Sequence, residues 1–213
     1  MTPYFKFLFF PVLFFLFSVH TTKAQYYSYD KNISLGLTFS PNMSWLNYQD
    51  GDSRESSPKV GYAYGLVADL GFARNYYFST GLLINTLYSQ STANGNADLV
   101  EDKTYRLQYA EVPLAIKLKT NVGGAARFYG QFGFTAGVKV SGKERVETST
   151  GYRAIDGDDI FRLGLLIGAG AEWRLTNSLS AMTGLSYNNG FTRTMRDGSP
   201  KLSYCALNIG LLF

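Results

Sequence analysis

The chain has 213 residues with 20 Lys and Arg against 16 Asp and Glu, one cysteine and one histidine. That length suits one all-β domain. The near balance of charge offers no electrostatic footprint for nucleic acid, and a single Cys205 excludes an internal disulfide framework.

The N-terminus reads as a secretory signal: Lys6, then the apolar run "FLFFPVLFFLF" broken by Pro11, then a polar stretch ending in "TTKAQ". The run is short for a bilayer span, so cleavage after Ala24 is expected, giving a signal over 1–24 and a barrel domain over 25–213. Removal of Lys6 and Lys23 leaves 18 basic side chains against 16 acidic ones. It also removes His20, the only histidine, so no His-based triad and no His-ligated metal is expected, and no cofactor.

From Ile33 onward the pattern is two-residue alternation. Eight segments follow in order: 33–45, 59–73, 76–90, 105–119, 127–141, 160–175, 179–193 and 201–213. In the second, Val60, Tyr62, Tyr64, Leu66, Ala68, Leu70 and Phe72 oppose Lys59, Gly61, Ala63, Gly65, Val67, Asp69 and Gly71. The connections alternate: "YQDGDSRESSP", "STANGNADLVEDK" and "KERVETSTGYRAIDGDD" are long and polar, whereas "ARN" and "TNS" are tight. An all-β, eight-stranded antiparallel up-and-down transmembrane barrel has this asymmetry, with short periplasmic turns and long outer loops.

Alternation alone fits a soluble lipocalin-like barrel equally well. The aromatics favour the membrane, because Trp45, Tyr48, Tyr62, Tyr64, Tyr76, Tyr88, Tyr105, Tyr109, Trp173 and Tyr187 gather towards segment ends, as interfacial girdles do. In that setting the face rich in glycine and charge is the lumen. Asp69, Glu111, Lys117, Lys119, Arg127, Glu172 and Arg174 share it and are expected to form a structural network rather than an ion path. The acidic loop residues, among them Asp50, Asp52, Glu55, Asp98, Glu101, Asp102, Asp156, Asp158 and Asp159, lack the spacing of a calcium loop.

The fourth segment holds "YAEVPLAIKLK", with charges and a proline inside a strand. Val112, Leu114, Ile116 and Leu118 form an outward row, but Tyr105, Leu107 and Tyr109 lie on the opposite parity. The expectation is a β-bulge between Tyr109 and Val112, beside Pro113. On parity, Lys117 and Arg174 are the first partners to consider for Glu111. In the last segment Leu207, Ile209, Leu211 and the terminal Phe213 share one face, and Cys205 joins them as a small lipid-facing residue.

The arrangement Tyr109, Glu111, Val112, Pro113, Leu114 and Lys117 resembles the Tyr-x-Glu-Ile/Val-Pro-Leu-x-x-Lys strand of the PorT-like outer-membrane β-barrels of Bacteroidetes-type Gram-negative bacteria. The Ala24-Gln25 junction resembles their signal cut, and Phe213 the signal read by the barrel-assembly machinery. This resemblance implies an outer-membrane protein surrounded by lipid. It implies no catalytic residues and no single activity. The functional expectation is a non-enzymatic barrel whose loops bind an envelope or extracellular partner, or which assists secretion or surface assembly. A narrow solute channel and a membrane-embedded enzyme working without histidine are the alternatives.

Overall fold

The computed structural model describes residues 33–48, 54–93, 101–121, 126–146, 151–154, 159–194 and 199–213. The expected signal over 1–24 lies outside them, as do Asp50, Asp52, Asp98, Asp156 and Asp158 of the loops.

The strands are β1 (Ile33–Asn47), β2 (Arg54–Ala73), β3 (Tyr76–Ala93), β4 (Glu101–Lys119), β5 (Ala126–Val146), β6 (Arg153–Ala154), β7 (Phe161–Arg174), β8 (Ser180–Gly190) and β9 (Lys201–Leu212). All pairings are antiparallel, and the order β4-β3-β2-β1-β9-β8-β7-β5 closes on itself through β4 and β5, an eight-stranded barrel. The two-residue β6 only extends the ladder at Lys143 and Glu144. Closure leaves no sheet edge, which a wall in hydrocarbon requires. The C-terminus takes part: Phe213 N donates to Leu35 O at 2.7 Å and Leu35 N to Phe213 O at 3.1 Å.

Tight turns join β2 to β3 and β7 to β8 at the end where β1 begins and β9 finishes. Between β2 and β3, Asn75 takes φ of 70°, a left-handed conformation that asparagine tolerates, and its carbonyl accepts from Lys119 N at 2.9 Å. Between β7 and β8, Leu175 N and Thr176 N both donate to Leu179 O.

The outer wall is apolar over a broad belt. Leu35, Leu37, Phe39, Leu66, Leu82, Leu114, Ile116, Phe132, Phe134, Leu163, Ile167, Leu185, Leu207, Ile209 and Leu211 are all exposed. Aqueous exposure of so much apolar surface would be prohibitive, whereas lipid contact costs nothing. β2 to β5 run 18 to 21 residues and β7 to β9 only 11 to 14. About 9 to 11 residues cross a bilayer, so the β2–β5 wall rises well beyond it on the side of the long connections.

The expected bulge in β4 is not there. β3 and β4 keep one register from Tyr76↔Leu118 to Ala93↔Glu101, and the odd residues of β4 point inward from Tyr105 to Lys119. The irregularity is on the facing strand: Gln108 pairs Ser141 while Tyr109 pairs Lys139, which leaves Val140 of β5 as the surplus residue. A second shift lies between Pro58 and Tyr62 of β2. The apolar residues change sides along β4 because the solvent outside the wall changes, from hydrocarbon to water, with no change of backbone phase. Pro113 points inward, and the β3–β4 ladder omits the pairs between Ser79↔Ala115 and Leu83↔Glu111, where its missing N–H would have bonded.

The same reversal corrects the aromatic assignment. Tyr105 and Tyr109 are buried inside, and Tyr48 packs on the same interior cluster, its hydroxyl bonded to Ser91 Oγ at 2.8 Å. Outward aromatics do stack along the wall: Phe39 on Tyr62, Tyr62 on Tyr64 and Trp45 on Tyr187.

Candidate functional site

The lumen contains the polar groups that any activity of the barrel wall would use, and they lie in layers. Nearest the tight turns, Asp69 from β2, Lys117 and Lys119 from β4 and Glu172 from β7 converge. Lys117 Nζ donates to both Asp69 carboxylate oxygens at 2.9 Å; Lys119 Nζ stands 2.8 Å from Asp69 and 2.7 Å from Glu172. Ser79 donates to Asp69 at 2.7 Å. The ammonium groups also face aromatic rings, Lys117 over Tyr129 at 4.8 Å and Lys119 over Tyr77 at 4.3 Å. Two cations and two anions cancel, which is the condition for keeping four charges out of water.

Glycine makes room for this packing. A Cβ at Gly184 or Gly170 would overlap the Tyr129 hydroxyl, so these two positions in β8 and β7 admit only hydrogen.

Towards the loops, the next layer is a small cavity of about 70 Å³ whose lining mixes Thr38, Ser40, Gln131, Ser186 and Asn208 with Val67, Leu83, Leu166 and Met182. It has room for a few waters. Beyond it Glu111 and Arg162 pair at 2.9 Å, both nearly inaccessible. Asn85 and Tyr204 donate to the other Glu111 oxygen at 3.0 and 2.9 Å, and Asn42 donates to Asn85 at 2.9 Å. Arg162 also bonds the Asn188 side chain and, at 3.1 Å, the Leu202 carbonyl; Asn188 in turn donates to Thr135 at 2.9 Å. The guanidinium lies over the Tyr204 ring at 5.1 Å. Gly137 opposes Glu111, and a Cβ there would stand 3.1 Å from Glu111 Cγ and 3.7 Å from Arg162 Cβ.

The last layer is apolar: Leu46, Leu87, Tyr105, Leu107, Tyr109 and Leu202. On the rung of Tyr109, Lys139 Nζ donates to the Thr194 carbonyl at 2.7 Å, tying the segment after β8 to the inner side of β5.

The structure thus brings five of the seven predicted luminal residues into buried pairs, but not with the expected partners. Lys117 serves Asp69, and Glu111 is held by Arg162, which shares the parity of Glu172 and Arg174 on β7. Arg174 is exposed, because as the last residue of β7 it projects past the rim. Arg127 is half-buried at the same end, donating to the Thr120 carbonyl at 3.2 Å and to the Tyr77 hydroxyl at 3.4 Å. Leu207, Ile209, Leu211 and Phe213 form an exposed outward row, and Cys205 is exposed beside it. Among the described residues no group of three His, Cys, Asp or Glu side chains could hold a metal ion.

No curated protein matches the chain in sequence. Among solved structures, the chain is similar to Neisserial surface protein A (10% identity, 85% of this chain and 96% of that one, TM-score 0.48) and to OprG of Pseudomonas aeruginosa (14%, 85% and 94%, TM-score 0.48). It is also similar to Ail, the attachment invasion locus protein of Yersinia pestis (14%, 86% and 100%, TM-score 0.41). The family model described as "outer membrane protein beta-barrel domain" matches residues 23–196, most of the chain. With a closed barrel, a lipid-facing belt and this match, the chain belongs to the outer-membrane protein β-barrel domain family and resides in the outer membrane.

Proposed function

We propose that the protein is a closed, non-enzymatic barrel that holds its loop end above the outer membrane for a partner in the envelope or outside the cell. The observation that carries this reading is the filled lumen. Two neutral ion-pair layers and an apolar layer cross it in series, and the taller β2–β5 wall is packed from within like a small soluble protein. A conduit would leave these charges facing water. A rigid, plugged stalk suits display, since binding residues sit on loops carried by a stable scaffold.

Within the family we place the chain with the PorT-like barrels of Bacteroidetes-type bacteria, on the strand from Tyr109 to Lys117, and assign its partner to secretion or surface assembly. In this reading residues 1–24 are removed as a signal peptide, and Phe213, paired with Leu35 at the seam, presents the outward row to the barrel-assembly machinery.

Deletion of the gene in its native cell, followed by an inventory of outer-membrane and surface proteins, tests the role: specific surface proteins should be lost. An unchanged inventory together with porin-sized conductance steps from pure protein in planar bilayers would replace this reading with the channel.

A further inference from the structure

The outward face of β4 and β5 carries a feature that the fold does not need. Just above the apolar belt, Arg106 stands directly opposite Lys143, and Arg145 stands opposite Thr104 on the next outward rung. Like charges facing each other across a ladder repel, and a water-exposed wall would ordinarily alternate sign. Among the described residues none of the three has a carboxylate partner. Instead, two of the cations are backed by rings: the Arg106 guanidinium lies 5.8 Å over Tyr88, and that of Arg145 5.3 Å over Tyr152.

Height decides what such a cluster faces. Below it on β5 are the exposed Val140, Val138, Phe134 and Phe132, and on β4 Ala110, then Val112 and Leu114. Lys143 is three residues beyond Val140, about 10 Å along the strand and less along the membrane normal because barrel strands tilt. The cations therefore stand where acyl chains end and headgroups begin, on the side of the long connections. Gln108 and Ser141 fill the rung between as neutral hydrogen-bonding groups.

We propose that Arg106, Lys143 and Arg145 form a docking site for the phosphorylated headgroup of a lipid in the loop-side leaflet, whose acyl chains lie against Val138, Val140 and Leu114. Phosphate oxygens bridge Arg106 and Lys143 and cancel their repulsion, and arginine binds phosphate in a forked, bidentate way. The site requires the membrane setting alone and stands whether or not the loops bind a partner.

The test is lipid retention by the detergent-solubilised full barrel, followed by native mass spectrometry with lipid A, a glycolipid carrying two phosphates, and with its dephosphorylated form. Wild-type protein should retain the phosphorylated form and bind the other weakly. The triple variant Arg106→Gln, Lys143→Gln, Arg145→Gln should need roughly a hundredfold more lipid, at about fivefold per cation near a charged lipid surface. Arg106→Lys with Arg145→Lys keeps the charge and should stay within about fivefold of wild type, on the same scale. Arg174→Gln, an exposed cation at the opposite end, should change nothing. Equal retention of both lipid forms by wild type, or undiminished retention by the triple variant, would overturn the proposal. So would a loss in the charge-retaining variant as complete as in the triple.

Discussion

The same strands enclose a charged interior near the tight turns and an apolar one near the long connections, and their outer faces show the reverse. On β4 the contrast falls within one strand: Lys117, Lys119 and Glu111 point in while Leu114, Ile116 and Leu118 point out, and farther along Leu107 and Tyr109 point in while Arg106 and Gln108 point out. The backbone phase is constant, so the difference reports the surroundings alone. In hydrocarbon the outer face must be apolar, and the narrow lumen can accept charge only as matched pairs. Above the bilayer water wets the outer face, and burying each Leu inside contributes about 1.5 to 3 kcal/mol in the ordinary way. One barrel therefore combines a membrane protein and a soluble one end to end.

The sharpest way to break this contrast is to unbalance the lower interior. Glu111→Ala leaves Arg162 buried beside Asn188 with no counter-charge and should cost about 3 to 5 kcal/mol, read from urea midpoints in lipid. Replacing both partners, Glu111→Leu with Arg162→Met, should recover most of that loss, since the cost lies in the stranded charge rather than in the pair itself. A double variant as unstable as the single one would show that the pair's hydrogen bonds to Asn85, Tyr204 and the Leu202 carbonyl dominate instead.

The upper interior should respond as a soluble core does. Leu107→Ala, at a position only 1% exposed, should cost about 2 to 4 kcal/mol by cavity formation, while Leu114→Ala on the lipid face of the same strand should cost far less. Equal losses at the two positions would mean that Leu107 has no packed neighbours to lose. At the bottom of the scale, Arg174→Ala should stay within about 0.5 kcal/mol of wild type, because the side chain projects from the rim into solvent.

Much of the barrel was legible in the sequence because period two is a local signal. The segment from Tyr62 to Phe72 already separates its faces, and the structure keeps them. What could not be read is register, which depends on the neighbouring strand. Arg162 meets Glu111 only because Gly137 of β5 pairs with both residues, and nothing within β7 announces that. The phase change is visible at Tyr109, but its cause is not. A bulge and a change of solvent leave the same trace in one strand, and only the surplus Val140 on the facing strand distinguishes them. Arg174 shares parity with Glu172, but parity carries no information about where the barrel ends.

The central claim, that β4 keeps one phase while its surroundings change, is tested most directly by spin-label accessibility along residues 104 to 118 of the reconstituted barrel, in a Cys205→Ser background. Even positions should be accessible throughout, to lipid-dissolved oxygen from Val112 to Leu118 and to a water-soluble nickel chelate from Thr104 to Gln108, with the odd positions shielded from both. An exchange of accessible parity between Tyr109 and Val112 would contradict the account and restore the bulge in β4.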